Sequence, residues 1–475
     1  MRWSKPATPT IPETWPPHPP PGETELERAV RLEEEKEARR RSEAIDREIE
    51  QERLEQRKLR HSTRVLLLGQ AESGKSTVLK NFQLHFAPEA FHAESEAWRA
   101  VIHLNLIRSV NFILDLLPGG PSSLHSSLHG ESSSHHSRQL SENALLDDSL
   151  LRHFRVRLSP LRQVELILVQ RLSADDPSRA AVNVEEAMPW YYGRASEVSI
   201  RGGSGWKALL RRKWNTSQAA TRPDELDKAR QILHACRQDI AELWGHPDVQ
   251  HGLEAEGVVL RDQSGFFLDE TLRVAAAGYE PTPLDILRAR LQTLGVEQHT
   301  ISVERFGEPS HRWVFYDVGG AKGQRASWVP FFDDIDAILF LCPMSAFNEV
   351  MLEDRRLNRL LDSFNLWKTI CMSRLLRGTT FILLLNKSDI LQSKLAAGVP
   401  FARYVKSYKD GPNEFDHVCE YLKRKFVAMC KHNSARERQL HVHVTCATDI
   451  STTAIVINRI KDAIVVNNLI SSDYI

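Results

Sequence analysis

Gly69-Gln70-Ala71-Glu72-Ser73-Gly74-Lys75-Ser76-Thr77 follows the apolar run Val65-Leu66-Leu67-Leu68 and leads into a helical pattern that begins at Lys75. The spacing matches GxxxxGK[ST] in the strand–turn–helix context the motif requires. Backbone N–H groups of such a turn, with the N-terminus of the following helix, present several donors to a polyphosphate. Lys75 adds a positive charge and the Ser76 hydroxyl is a ligand for Mg²⁺. The bland alternative, a glycine-rich turn with a solvated lysine, is disfavoured because strand and helix are both in place.

Working outward, apolar segments at Trp313–Tyr316, Ala337–Cys342, Phe381–Leu385 and His441–Thr445 alternate with helix-length stretches. That rhythm predicts an α/β fold with a doubly wound, mostly parallel sheet. The region between about 89 and 278 lacks the alternation and reads as helical. Within it, Ile232, Leu233, Ile240 and Leu243 recur near helical spacing over Ala229–Trp244. The first strand and phosphate loop precede this insert and the remaining strands follow it, so an α/β unit is interrupted by an all-α one.

Two further motifs sit at predicted strand ends. Asp317-Val318-Gly319-Gly320 is a DxxG, and Asn386-Lys387-Ser388-Asp389 follows Phe381–Leu385. A carboxylate at Asp389 accepts from both the ring N1–H and the exocyclic amine of guanine, a donor pair adenine lacks, so GTP is expected over ATP. Alone, the four-residue match is also an ordinary strand-to-helix turn; after the other two motifs it is specific. Thr445-Cys446-Ala447-Thr448 ends another apolar run and is placed to close over the base from the same sheet edge.

With these residues in view, the chain over most of 61–475 resembles a heterotrimeric G-protein α subunit. Gly69–Thr77 is similar to the family loop GAGESGKST, Tyr279–Gly295 to the switch segment YxPTxxDVLRxRxxTTG, and Asp317–Gly320 to DVGG. Phe347–Asn358 resembles the family's third-helix region, and the end around Val466–Leu469 its receptor-facing helix. The resemblance implies a Ras-like P-loop GTPase domain (61–88 and 279–475) with an inserted all-α helical domain (89–278). It implies GTP or GDP as ligand with Mg²⁺, held by Ser76 and Thr293, while Asp317 holds a metal-bound water. Gly69, Glu72, Ser73, Gly74, Lys75, Ser76 and Thr77 would cradle the phosphates, with Lys75 also catalytic. Leu287 and Arg288 would border the nucleotide, Asn386, Lys387 and Asp389 the base, and Cys446, Ala447 and Thr448 its far side. Ser264 resembles the helical-domain serine that reaches across to the nucleotide. Arg290 matches the built-in arginine finger; this family is itself the general example of an arginine in cis, so its worth of about 10³–10⁵ in rate is a quoted figure. Gly320 would sense the γ-phosphate through its N–H, Trp328 would repack as its segment moves, and Arg325 would pair with Asp362 in the GTP state.

Two positions depart from the family. Ala321 stands where a glutamine orients the attacking water, and Trp328, eight residues after Gly320, fixes that register. Gln324 is therefore not a shifted copy. Ala71 replaces a glycine, and its Cβ would project toward the space shared by water, glutamine and finger. Losing one preorganised donor of this kind costs about 2.7–4 kcal/mol, a factor of about 10²–10³, so slow hydrolysis is expected. The competing reading is a hydrolysis-deficient GTP-binding scaffold that holds partners. A P-loop ATPase or kinase is opposed by Asn386–Asp389.

Composition bounds the rest. The 475 residues carry 62 Lys plus Arg against 62 Asp plus Glu, which argues against a nucleic-acid partner. The longest apolar runs are too short to span a bilayer, so membrane contact is expected to be peripheral. Six cysteines without a CxxC pair fit a reducing, cytoplasmic setting. Residues 1–22 are Pro-rich and read as a disordered tail. Residues 23–60, where 13 acidic and 11 basic side chains interleave without Pro or Gly, read as an exposed charged helix. By position this is the candidate βγ-binding helix, and its charge balance makes direct binding to anionic lipid weak. Arg2 stands where N-myristoylation needs glycine. The Ser/His-rich stretch near 118–149 and the stretch near 173–227, with Trp190, Tyr191, Tyr192, Trp206 and Trp214, read as disordered insertions. Metal binding by His125, His129, His135 and His136 is disfavoured, and the aromatics are either an interaction patch or docked on the domain's own surface. The resemblance further implies a G-protein βγ dimer, a seven-helix receptor at the C-terminal helix, an effector at the switch regions, and a place at the inner face of the plasma membrane.

Overall fold

The computed structural model describes residues 24–25, 28–29, 32–33, 36–37, 39–47, 62–117, 148–172, 225–256, 258–291, 295–305, 308–333, 335–351, 353–434 and 438–471. The Pro-rich tail 1–22, Thr293, most of the two insertions and the aromatics of the second lie outside the described residues. The chain divides into two units, Met1–Ser62 and Thr63–Ile475.

In the first unit the described residues 39–47 are helical and exposed. The helix carries ion pairs from Arg41 to Glu37 at 3.0 Å and from Arg39 to Glu43 at 3.4 Å, both at the i,i+4 spacing. Such exposed pairs contribute little each. The described residues of the expected 23–60 helix are thus largely helical, and residues 48–60 of it lie outside the described residues.

The second unit contains a six-stranded sheet in the order β2-β3-β1-β4-β5-β6. β1 (Thr63–Gly69) lies between β3 (Glu308–Val318) and β4 (Ala337–Pro343), parallel to both, and β5 (Thr380–Asn386) and β6 (Leu440–Val444) continue the parallel set. Only β2 (Val296–Arg305) runs antiparallel, against β3. Every residue of β4 and β5 is buried, as near-continuous apolar strands covered on both faces should be. Alternation sorts the two faces. Leu66 and Leu68 join a core with Phe340, Trp367 and Phe426, while Val65 and Leu67 join Phe82, Phe315, Ile457 and Ile464 on the other side.

Those faces are covered by helices that the strand ends launch. α1 (Lys75–Phe86) begins at Gly74, whose φ of 101° is left-handed; a Cβ there would sit 2.3 Å from the Asn386 amide nitrogen, so only glycine fits. A separate, wholly helical core lies between the first strand's helix and the remaining strands. Its centre is α2 (Ser95–Leu116), buried on nearly every face through Trp98, Ile102, Leu106, Val110 and Ile113. Around it pack α3 (Asp148–Arg157), α4 (Pro160–Leu172), α5 (Glu225–Gly245) and α6 (Pro247–Ala255). Further on come α7 (Pro283–Arg288), α8 (Arg359–Met372), α9 (Ser388–Ala396), α10 (Phe415–Asn433) and α11 (Ile450–Ser471). Among the described residues no helix is long and apolar enough to cross a membrane.

The α/β alternation and the helical interruption are as expected, with differences in detail. The strand expected at Trp313–Tyr316 is the middle of the longer β3, and its partner β2 was not anticipated at all. β2 has a neighbour on one side only, so among its residues with described burial just Ile301 and Val303 are buried, and no apolar run marks it.

Candidate functional site

The C-terminal ends of the parallel strands and the helical core together border a cavity of about 420 Å³, where the switch-point rule places ligands in such sheets. Its phosphate-loop wall is formed by Glu72, Gly74, Lys75, Ser76 and Thr77. Lys75 is buried, with Nζ donating to the carbonyls of Gly69 at 3.1 Å and Gln70 at 2.8 Å. Burial pushes its pKa down to about 8, with Asp317 opposing. Glu72 adopts a left-handed φ of 61° that few non-glycine residues tolerate. Its carboxylate is clamped by Arg290 on one side and by Arg359 at 3.3 Å on the other, and Arg359 also donates to the Ala71 carbonyl at 2.7 Å. Gly69 and Ser73 stand behind this wall, and the Ser73 hydroxyl is buried with no hydrogen-bond partner among the described residues.

Ser76 and Asp317 meet across the α1 start and the β3 end, the hydroxyl donating to a carboxylate oxygen at 2.6 Å. Burial pushes the Asp317 carboxyl up, opposed by Lys75 and the Ser76 hydroxyl. A hydroxyl and a carboxylate beside a phosphate loop are hard oxygen donors and suit Mg²⁺. Among the described residues no group of three or more His, Cys, Asp or Glu side chains could hold a metal.

The base end is organised by Asn386. Its amide nitrogen donates to the Ser73 carbonyl at 2.8 Å, and its oxygen accepts from the Thr445 hydroxyl at 3.2 Å and the Ala447 N–H at 3.1 Å. One side chain thus ties the phosphate loop, the β5 end and the loop after β6 together. Lys387, left-handed at φ 62°, caps α9 and so places Asp389 in its first turn. Lys387, Asp389, Cys446, Ala447 and Thr448 all line the cavity.

The segment leading to Arg290 is anchored by a capping box at α7, where the Asp285 N–H donates to the Thr282 hydroxyl and the Thr282 N–H to Asp285. Arg273 grips the same carboxylate through two bonds of 2.8 and 2.7 Å, and the Tyr279 hydroxyl donates at 3.0 Å. Burial alone would raise the Asp285 pKa; these donors outweigh it and hold it below the usual carboxylate range. Leu287, Arg288 and Arg290 then line the cavity together with Ser264, whose neighbour Gly265 donates its N–H to the Arg288 carbonyl at 3.0 Å.

Three contributors were not singled out from the sequence. Asn105 of α2 grips the Arg290 backbone, accepting from its N–H at 2.8 Å and donating to its carbonyl at 3.1 Å. Lys80 donates to the carbonyls of Ile286 and Ala289 at 2.8 and 2.9 Å beneath the Trp98 ring, and burial pushes its pKa down to about 7. Gln70 reaches away from the cavity to the Arg359 carbonyl at 2.7 Å and to Asp362 at 2.5 Å. A lysine on the otherwise apolar stripe Val78–Leu79–Phe82 was the one available signal; Asn105 and Gln70 find partners 185 and more residues away.

The DxxG end borders the phosphate loop closely. A Cβ on Gly320 would lie 2.4 Å from the Ala71 nitrogen, so the two backbones touch. Gly320, Ala321 and Gln324 line the cavity. The 3₁₀ helix Lys322–Phe331 that follows is pinned by the Trp328 indole, which donates to the Gly319 carbonyl at 3.0 Å, and by Arg325, which grips Asp362 of α8 through two bonds of 3.0 and 2.5 Å. Arg325 and Asp362, which the resemblance and their opposite charges pair in the GTP state, are in contact in this structure; Thr293, the second expected Mg²⁺ ligand, lies outside the described residues.

Residues 39–464 match the model of a protein family described as G-protein alpha subunit. The guanine nucleotide-binding protein alpha-4 subunit of Mycosarcoma maydis is 30% identical, covering 95% of this chain and 93% of that protein. The guanine nucleotide-binding protein subunit alpha of Cochliobolus heterostrophus is 27% identical and the alpha-1 subunit of Neurospora crassa 26%, each covering 92% of this chain and 96% of the relative.

Proposed function

The chain belongs to the G-protein alpha-subunit family, and from that premise we propose that it is a signalling switch that binds GTP or GDP with Mg²⁺ and turns GTP over slowly. Membership makes it a guanine nucleotide-binding GTPase with a Ras-like domain and a helical domain. The observation that carries the slow turnover is Ala321: it lines the cavity directly after Gly320, and its methyl group cannot hold a water.

In this reading residues 61–88 and 279–475 form the GTPase domain and 89–278 the helical one. Ser76 and Thr293 would hold Mg²⁺, with Asp317 acting through a water; the ion would supply neutralisation of phosphate charge. Lys75 exchanges its two carbonyl acceptors for phosphate oxygens, which restores the full charge that burial weakens. Arg290 must leave Glu72 to reach the transferring phosphoryl group. Because Asn105 fixes its backbone, that is a side-chain rotation and not a loop movement. Asp389 selects guanine, and Cys446–Thr448 and Ser264 close the nucleotide in. The charged segment of residues 23–60 meets a βγ dimer, α11 a seven-helix receptor, and the segment Gly320–Trp328 an effector. The protein works in the cytoplasm, peripherally at the inner face of the plasma membrane.

The test is nucleotide competition and single-turnover hydrolysis by the purified chain. Preference for guanine nucleotides with a rate well below that of relatives carrying the glutamine is expected. Preference for ATP would refute the binding reading, and a rate equal to those relatives would refute slow turnover. Tight GTP binding with no hydrolysis at all would leave the scaffold reading in its place.

A further inference from the structure

Ala321 leaves the cavity without a water-holding side chain, and Gln324 stands one 3₁₀ turn further on. Its backbone N–H donates to the carbonyl of Ala321, the extended N-cap of that helix, at 2.9 Å. Gln324 lines the same cavity as Ala321, Gly320, Lys75 and Arg290. Its amide oxygen is buried and accepts no hydrogen bond from any described residue, a costly state for a carbonyl oxygen unless a ligand or water completes it. The turn carrying it is held on both sides, by Trp328 on the Gly319 carbonyl and by Arg325 on Asp362.

We propose that Gln324 is the positioning residue for the attacking water in this chain's GTP hydrolysis, standing in for the glutamine absent at 321. The inference rests on the GTPase reading above and deepens it. The amide oxygen accepts a hydrogen bond from the water; the water oxygen bonds to the γ-phosphorus while the bond from phosphorus to the β–γ bridging oxygen breaks. GDP leaves with that electron pair, and the water's protons end on inorganic phosphate and solvent. A group reaching in from one turn away orients the water less fully than one at 321, which leaves the reaction slow but not absent.

The experiment is single-turnover hydrolysis of preloaded GTP by the full chain and by Gln324→Leu, with Gln324→Ala as a second truncation should the leucine variant fold poorly. The rate is expected to fall by about ten-fold or more, while GTP and GDP dissociation constants stay within about two-fold of the parent, the pattern of a lost transition-state contact. Ala321→Gln should raise hydrolysis by a larger factor in the Gln324→Leu background than in the parent, because the two amides serve one water; equal factors would mark a merely structural role for Gln324 and overturn the proposal. A truncated variant that hydrolyses at the parent rate, or that loses nucleotide affinity in step with rate, overturns the proposal. A parent that binds GTP but never hydrolyses it overturns the GTPase reading as well, and is recognised by that retained binding.

Discussion

Replacing Gln70 by alanine should destabilise the protein although the side chain points away from the nucleotide cavity. Gln70 is 1% exposed, and its amide nitrogen donates to the Arg359 carbonyl at 2.7 Å and to the Asp362 carboxylate at 2.5 Å. Asp362 is itself only 4% exposed and receives both nitrogens of Arg325. A hydrogen bond to a charged acceptor contributes about 1.5–3 kcal/mol and one to a carbonyl about 1 kcal/mol. Asp362 remains paired with Arg325 after the change, so the lower end of that sum applies and Gln70→Ala should cost about 2.5 kcal/mol. Urea unfolding with saturating GDP measures it. Because one carboxylate joins Gln70 to Arg325, the two sites should also couple: Gln70→Ala with Arg325→Ala should depart from additivity by about 1 kcal/mol. A cost below about 0.5 kcal/mol, or strict additivity, would refute the view that phosphate loop, α8 and the DxxG segment are linked through Asp362.

Other outcomes follow from the same geometry. Asp285→Ala removes a capping box and two arginine bonds at a residue 1% exposed, and should lower stability by about 3 kcal/mol. Since the Asp285 pKa is held below its unfolded value, its contribution is complete above the unfolded pKa, near about 4, and fades as pH falls through the lower folded value. Acid unfolding of the parent should thus show a low-pH loss that Asp285→Ala lacks; parallel curves would contradict this. Asn386→Ala unties the phosphate loop from the loop after β6 and should speed GDP release by about ten-fold or more, read with a fluorescent analogue; unchanged release would show the strut to be idle.

What the sequence revealed follows from how far each interaction reaches. The phosphate loop, DxxG and Asn386–Asp389 were legible because each is a short backbone conformation demanding particular residues, as the glycine at 74 beside Asn386 illustrates. β4 and β5 were legible because strands covered on both faces must be apolar throughout. β2 was not, since an edge strand needs few residues inside, and among those with described burial Ile301 and Val303 are the buried ones. Arg290 could be recognised, but not that Glu72 holds its guanidinium and Asn105 its backbone. Asn386, expected beside the base, also serves as a tie between three chain segments, which only its tertiary partners disclose.

The most direct measurement is the single-turnover GTP hydrolysis rate of Ala321→Gln against the parent at equal nucleotide occupancy. If a missing water-holding amide limits turnover, restoring it should raise the rate by about ten-fold or more, short of the full factor of about 10²–10³ because Gln324 already supplies part of it. An unchanged rate would contradict the account.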